Sequence, residues 1–216
     1  MNPALLTSAY LGPVHYYTKL YAAPCITEER CEHYVKQTYR NRCIIAGPDG
    51  PMALTIPVEH DSATRPATRD IRISEHGNWR HRHRTALVSA YEKSPFFEYY
   101  ADDILPLYER PCTFLVDFNE ALREAVCRLL ELSPRIGVTS AYLSEPPAGH
   151  DDFREMIRPK TAYAADPSFR PVPYWQVFAQ RNGFLPNLSI ADLLFNMGPE
   201  ARLVLRDSIV PTVQKR

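Results

Sequence analysis

The sequence lacks several features that define large classes of protein. It has no apolar run near the ~20 residues that a membrane-spanning helix needs, and it does not begin with a basic segment and an unbroken apolar segment, as a signal peptide does. The five cysteines include no Cys-x-x-Cys pair, and neither a P-loop nor a G-x-G-x-x-G motif occurs. We therefore expect a cytoplasmic protein with no membrane span, no metal and no bound cofactor such as ATP or NAD.

Glycine and net charge are also scarce. The chain has eight glycines against 20 prolines, which indicates stiff and well-defined loops. Its 25 basic and 25 acidic residues cancel, and this balance argues against a nucleic-acid partner. A length of 216 residues with 45% hydrophobic content suits one globular domain. We predict a single domain over residues 1–210 and a frayed C-terminal tail over residues 211–216.

Hydrophobic periodicity predicts the secondary structure. We expect strands at 4–11, 33–38, 42–46, 53–58, 71–73, 136–143 and 174–179. We expect helices at 14–23, 79–91, 95–103, 114–130, 151–157, 190–197 and 199–209. The stretch Gly-Pro-Asp-Gly-Pro from Gly47 predicts a hairpin, and Asn78, Ser94 and Ser189 are candidate helix caps.

Helices cluster in the middle of this pattern, without a regular alternation of strand and helix. The sequence therefore predicts an α+β fold. Its sheet is expected to be mixed or mostly antiparallel, with helices packed mainly on one side.

Five short segments carry a resemblance to a known family. They are Tyr10-Leu11 with Tyr16-Tyr17, Lys36 with Asn41-Arg42, the LTIPV stretch from Leu54, Asn78-Trp79 with Ala90-Tyr91 and Ser94-Pro95-Phe96-Phe97, and Leu188-Ser189-Ile190 with Asp192-Leu193. In this order and at this spacing they resemble the WbqC-like protein family. Ser8-Ala9 stands where the family typically has Gln-Pro, and Glu32-His33 is the candidate for an acidic pair that often precedes the lysine.

The resemblance implies a pathway and a reaction class. Genes of the family are associated with O-antigen and other surface-polysaccharide clusters. The implied activity is a transferase that moves a glycyl or another acyl group onto a sugar. The alternatives are a non-catalytic glycan- or nucleotide-binding accessory protein of the same pathway and an interaction adaptor with an aromatic surface.

Basic residues concentrate in two segments of this neutral chain. Lys36, Arg40 and Arg42 lie within seven residues that contain no acid. Residues 65–84, which include Arg72, hold six arginines and three histidines against two acids. Because guanidinium groups bind phosphate and carboxylate through paired hydrogen bonds, the two segments predict a shared anion pocket. The alternative is a solvated face on which each arginine pairs with a neighbouring carboxylate.

His76 is the candidate catalytic base. Imidazole has a pKa near neutrality and can take a proton from an amine or hydroxyl nucleophile. His76 also precedes a predicted helix N-terminus, where backbone N–H groups favour an anion. His83 shares the apolar face of Trp79 and is predicted to be a core histidine. His81 is predicted to face solvent, about 200° around the helix from His83, so the three histidines form no metal site.

Trp79 and Asn41 complete the candidate site. Trp79 follows the anion loop and either stacks on a sugar ring or base or packs in the core. Asn41 either positions a ligand carbonyl or hydroxyl group or belongs to a turn. We expect this site to bind a phosphorylated or nucleotide-activated sugar, with an acyl or aminoacyl donor as the second partner.

Overall fold

The computed structural model describes residues 1–59 and 65–211. Its strands are β1 (Ala4–Thr7), β2 (Ile26–Glu29), β3 (Arg42–Gly47), β4 (Gly50–Thr55), β5 (Val58–Glu59), β6 (Arg72–Ile73), β7 (Ile136–Val138) and β8 (Asp151–Asp152). Its helices are α1 (Val14–Ala22), α2 (Trp79–Tyr91), α3 (Phe97–Ile104), α4 (Leu115–Leu129), α5 (Ala179–Asn182), α6 (Ile190–Met197) and α7 (Ala201–Asp207).

The main sheet contains four parallel strands in the order β7–β2–β1–β8. β1 pairs with β2 from Ala4 opposite Ile26, and α1 connects the two strands as a crossover helix. Leu5 and Leu6 point to opposite faces of the sheet, and both are buried. Burial on both faces is what a parallel sheet covered on each side requires.

Two small antiparallel hairpins complete the strands. β3 and β4 pair from Arg42 opposite Thr55 to Gly47 opposite Gly50, which confirms the hairpin predicted from the turn sequence. β5 pairs with β6, with Val58 opposite Ile73. Together with the main sheet they form one α/β domain.

The predicted sheet type was wrong, because the main sheet is parallel and not mixed or mostly antiparallel. The sequence of β2, Ile-Thr-Glu-Glu, is polar and does not predict a strand. The hydrophobic pattern predicts one at 33–38 instead. In the structure, residues 34–38 form no strand, and Gln37 has a positive φ of 60°. Without β2, the crossover through α1 could not be recognised.

The two glutamates of β2 are buried because each has internal partners. Glu28 forms ion pairs with Arg30 and Arg123. Glu29 accepts hydrogen bonds from the backbone N–H groups of Cys31 and Glu32. Burial of a carboxylate is tolerated only with such partners. Of these partners, Arg123 is distant in the sequence, so its contact with Glu28 cannot be inferred from the residues around β2.

Most predicted helices are present, with differences at their ends. Ser189 caps α6 as predicted, since its Oγ accepts a hydrogen bond of 3.3 Å from the backbone N–H of Ala191. Ser94 instead donates to the carbonyl of Tyr91, and α3 begins three residues later. Asn78 precedes α2 in a left-handed conformation and makes no capping bond. Residues 174–179 form no strand, and the predicted helix at 151–157 begins as β8.

Three further observations complete the description of the fold. No helix within the described ranges is long and apolar enough to cross a membrane. All five cysteines are described, and each has a free thiol. The predicted tail lies outside the described residues from position 212 onward.

Candidate functional site

A cavity of about 600 Å³ lies between the first turns of α2 and strand β4. β4 contributes Met52 to Thr55, and the turn before α2 contributes His76 and Gly77. The helix itself contributes Trp79, Arg82, His83 and Ala86. Two residues of the sequence-predicted site, His76 and Trp79, therefore lie in one concave surface.

The turn before α2 directs the helix N-terminus at this cavity. Gly77 has φ 79° and ψ 16°, and Asn78 has φ 49° and ψ 39°. Two successive left-handed residues are favoured by glycine and asparagine, the residue types present here. No side chain caps α2, so its first N–H groups remain available to an anion at the end of a 13-residue helix.

Two donors in the cavity lining, Arg82 and Trp79, have no acceptor among the described residues. The exposed guanidinium of Arg82 has no ion pair or hydrogen bond with any described residue. Trp79 is only 3% exposed, and its indole N–H is buried without a hydrogen-bonding partner among the described residues. None of the described residues that line the cavity carries a carboxylate. A ligand that accepts hydrogen bonds and carries negative charge would complement this lining.

His76 and His83 line the same cavity in different environments. His76 is exposed, and its ring has no partner among the described residues, so it is free to contact a ligand. His83 is buried as predicted, and its Nδ1 lies 2.9 Å from the hydroxyl of Tyr10. Burial, together with the nearby charge of Arg82, lowers the pKa of His83 to about 4, so this imidazole is neutral at pH 7.

The Tyr10 hydroxyl connects the cavity wall to the core. It lies 2.6 Å from the hydroxyl of Tyr108, and both phenols are buried. Burial, with Tyr108 beside it, raises the pKa of Tyr10 well above its usual value. The three groups Tyr108, Tyr10 and His83 therefore form a neutral hydrogen-bonded chain that fixes the ring of His83.

Arg42 lies near the cavity, whereas Arg40 and Asn41 belong to the interior. Arg42 is partly buried, and its Nε donates a bond of 3.1 Å to Oγ1 of Thr55, which lines the cavity. Arg40 is 1% exposed and is held by Glu32. Asn41 donates from Nδ2 to the carbonyl of Ile56 at 2.9 Å. Neither Arg40 nor Asn41 presents its side chain to the cavity.

Lys36 and Arg72 are exposed and do not line the cavity. Lys36 has no ion pair with a described residue. Arg72 lies 3.7 Å from Glu59 and over the ring of Phe114. The structure thus brings His76 and Trp79 together with Arg42 nearby, and it leaves the other predicted residues elsewhere.

Several arginines of the second basic segment are neutralised by carboxylates. Arg80 is paired with Glu75 at 2.7 Å. Arg84 lies 3.5 Å from Glu109, and Arg69 lies 3.7 Å from Asp70. At these positions the structure therefore agrees with the alternative interpretation, a solvated face on which each arginine pairs with a neighbouring carboxylate. Sequence reasoning gave Arg82 no special role, because only the fold reveals that this arginine meets no carboxylate of the described residues while Arg80 and Arg84 each meet one.

Sequence reasoning also missed the polar network at the carboxyl ends of the parallel strands, where α/β proteins often bind ligands. There the Oε1 atom of Glu29 accepts hydrogen bonds from Thr139 and from the N–H of Cys31, and Oε2 accepts from the N–H of Leu143. Arg154 is paired with Asp152. These groups satisfy one another's hydrogen-bonding capacity and connect three loops. This edge of the sheet therefore has a structural role.

A second buried cluster joins α1 to a later loop. Asp166 accepts hydrogen bonds of 2.6 Å from His15 and 2.5 Å from Lys19, and Ser168 lies 2.8 Å from Lys19. Although burial opposes ionisation, the hydrogen bonds from His15, Lys19 and Ser168 hold the pKa of Asp166 far below its usual value. All four side chains are buried, so the cluster is a structural tie.

The described residues include no group of three or more His, Cys, Asp or Glu side chains that could hold a metal ion. The groups of the candidate site that face or line the cavity are the N-terminus of α2, Arg82, Trp79 and His76.

Comparisons with known proteins agree with the resemblance found in the sequence. The WbqC-like protein family matches residues 8–157. The uncharacterized protein Rv1507c of Mycobacterium tuberculosis is 29% identical over 196 aligned residues, which cover 80% of this chain and 84% of that protein. No solved structure matches the chain. Because the family match spans more than half of the sequence, this chain belongs to the WbqC-like protein family.

Proposed function

We propose that this protein is an acyl or aminoacyl transferase that forms an amide on a sugar during surface-polysaccharide biosynthesis in the cytoplasm. The cavity beside α2 is its active site. The observation that carries the proposal is the presence of Arg82 and the buried Trp79 N–H, both without partners among the described residues, in a cavity where no described residue contributes a carboxylate. These donors suit the phosphate of an activated acyl donor.

The phosphate group binds at the N-terminus of α2, with Arg82 as its main cation. Arg42, next to Thr55 at the cavity wall, adds positive charge without a carboxylate partner among the described residues. Arg82 takes the role that the sequence assigned to Arg40, because Arg40 is buried and paired with Glu32. The side chain of Trp79 forms part of the cavity wall beside the phosphate.

His76 is the general base of the proposed reaction. The amino group of the acceptor sugar attacks the carbonyl carbon of an acyl phosphate, and a carbon–nitrogen bond forms. The bond between that carbon and the phosphate oxygen breaks, and the leaving phosphate keeps the electron pair. His76 takes the proton from nitrogen, and the positive groups around Arg82 stabilise the departing anion.

The test measures amide formation by mass spectrometry from acyl phosphates and amino-sugar nucleotides. We expect turnover by the unmodified protein. His76→Gln should lower kcat by about 10²- to 10⁴-fold with little change in KM, because the variant loses a base and keeps the anion site. His150→Gln, which alters a histidine outside the cavity, is the matched control and should retain activity.

The alternative, a non-catalytic accessory protein, predicts a different result in the same assay. It predicts that sugar nucleotides or phosphorylated donors bind to the cavity but that no amide forms with any donor tested. Binding without turnover in the unmodified protein would therefore overturn the transferase proposal and leave the anion site intact.

A further inference from the structure

A groove of about 690 Å³ adjoins the proposed active site along α2. The groove and the cavity share three lining residues, Met52, Arg82 and Ala86. The cavity faces the first turns of α2, and the groove continues along the same helix as far as Ala90. A ligand can therefore occupy both, with Arg82 at the junction.

The chemistry of the groove differs from that of the cavity. α2 contributes Thr85, Ala86, Ser89 and Ala90, whose short side chains leave the space open. Met52, Pro48 and Phe178 form the apolar sides. Among the described residues, the only ionisable side chains in its lining are Arg82, at the junction, and His81. Binding of a hydrocarbon chain to such a surface is favourable, because it removes apolar area of both from water.

We propose that the group transferred by this protein is an aliphatic acyl chain and not a glycyl group, and that the chain lies in this groove. The inference rests on the proposed function, since the phosphate of the same donor occupies the cavity at Arg82. A glycyl group has almost no hydrocarbon to bury. Its ammonium would also meet Arg82 and no carboxylate of the described residues, which makes the groove unfavourable for a glycyl group.

The length of the groove sets the size of the chain. The helix rises about 1.5 Å per residue, so the distance along α2 from Arg82 to Ala90 is about 12 Å. An extended octyl chain is of comparable length. The carbonyl of such a donor would lie at the junction, between the phosphate on one side and the chain on the other, within the cavity that His76 lines.

The test uses unreactive analogues of the donor. Inorganic phosphate, n-butyl phosphate and n-octyl phosphate are titrated into the full-length protein by calorimetry, at ligand concentrations below micelle formation. Each methylene that the groove buries should tighten binding by up to about fourfold. We expect n-octyl phosphate to bind at least about tenfold more tightly than n-butyl phosphate.

A groove-filling variant separates the chain site from the phosphate site. Ser89→Trp places a large side chain in the groove at an exposed position, away from the cavity. It should abolish the gain from butyl to octyl while leaving the affinity for n-butyl phosphate within about twofold. Lys93→Trp, exposed and outside the groove, is the matched control and should preserve the full gain.

The outcomes are distinguishable. If both alkyl phosphates bind with equal affinity, the acyl-chain inference fails and the anion site stands. A gain from butyl to octyl that persists in Ser89→Trp would also overturn the inference, because the chain would then bind elsewhere. If none of the three phosphates binds, the proposed function fails together with the inference.

Discussion

The hydroxyl of Tyr10 lies 2.9 Å from Nδ1 of His83, at the boundary between the core and the proposed active site. Tyr10 comes from the segment after β1, and His83 comes from α2. This contact attaches the cavity-forming helix to the end of a central strand. The position of α2, and with it the site, therefore depends on a buried polar contact as well as on apolar packing.

The buried His83 should make the stability of the protein depend on pH. Its pKa is lowered from 6.5 to about 4, so the unfolded chain binds a proton between these values and the folded chain does not. Stability contributed by the neutral ring is complete above pH 6.5 and is lost as the pH falls toward 4. The loss is about 3 kcal/mol at ~1.36 kcal/mol per pKa unit.

Urea unfolding at a series of pH values checks this prediction. The difference in unfolding free energy between the unmodified protein and His83→Gln should shrink from pH 7 to pH 4. A difference that stays constant over this range would mean that His83 titrates normally in the folded state.

The buried pair of Arg40 and Glu32 should be essential for stability. Arg40→Met leaves the Glu32 carboxylate without its counter-ion in a buried position, which should cost about 3–5 kcal/mol. Arg72→Met removes an exposed arginine that lies 3.7 Å from Glu59, and should cost at most about 1 kcal/mol. Denaturant unfolding measures both, and equal losses would contradict the distinction.

Asp166 should be equally sensitive, because Lys19 depends on it. Asp166→Asn leaves the ammonium of a fully buried lysine without a carboxylate, and we expect a loss of about 3–5 kcal/mol. In the Lys19→Met background the same substitution should cost clearly less, since no buried cation remains. A double-mutant cycle by denaturant unfolding measures the coupling, and additive losses would refute it.

Gly198 should tolerate no larger residue. It has φ 51°, and a Cβ at this position would overlap the ring of Phe96. Gly198→Ala should therefore cost about 1–2 kcal/mol for the backbone and about 1–3 kcal/mol for the overlap. Gly183→Ala is the matched control, because Gly183 has φ 69° and open space around it. It should show only the backbone cost in thermal unfolding, and equal destabilisation would exclude the overlap as a cause.

The local elements of this fold could be predicted from the sequence, whereas the main sheet could not. The periodicity that gave α2 and the turn that gave the β3–β4 hairpin are contained in neighbouring residues. β2 could not be predicted from the sequence, because Glu28 and Glu29 are buried through contacts that include distant residues such as Arg123 and Thr139. Propensity describes a glutamate as polar and carries no information about a partner 95 residues away.

The same limit applies to the candidate site. Charge density predicts a site within residues 65–84, and the position of His76 just before a helix follows from the sequence. The sequence does not tell which arginines meet a carboxylate. Arg80, Arg82 and Arg84 alternate along one helix, yet only Arg82 has no carboxylate partner among the described residues. That difference arises from the packing of other segments against α2.

The most direct test of the account is the affinity of the cavity for an anion. Calorimetric titration with n-butyl phosphate should show binding by the unmodified protein that weakens as salt increases. Arg82→Gln should bind at least about tenfold more weakly, while Arg84→Gln, two residues along the same helix, should bind within about twofold of the unmodified protein. Equal effects of the two substitutions, or no binding by the unmodified protein, would contradict the proposed site.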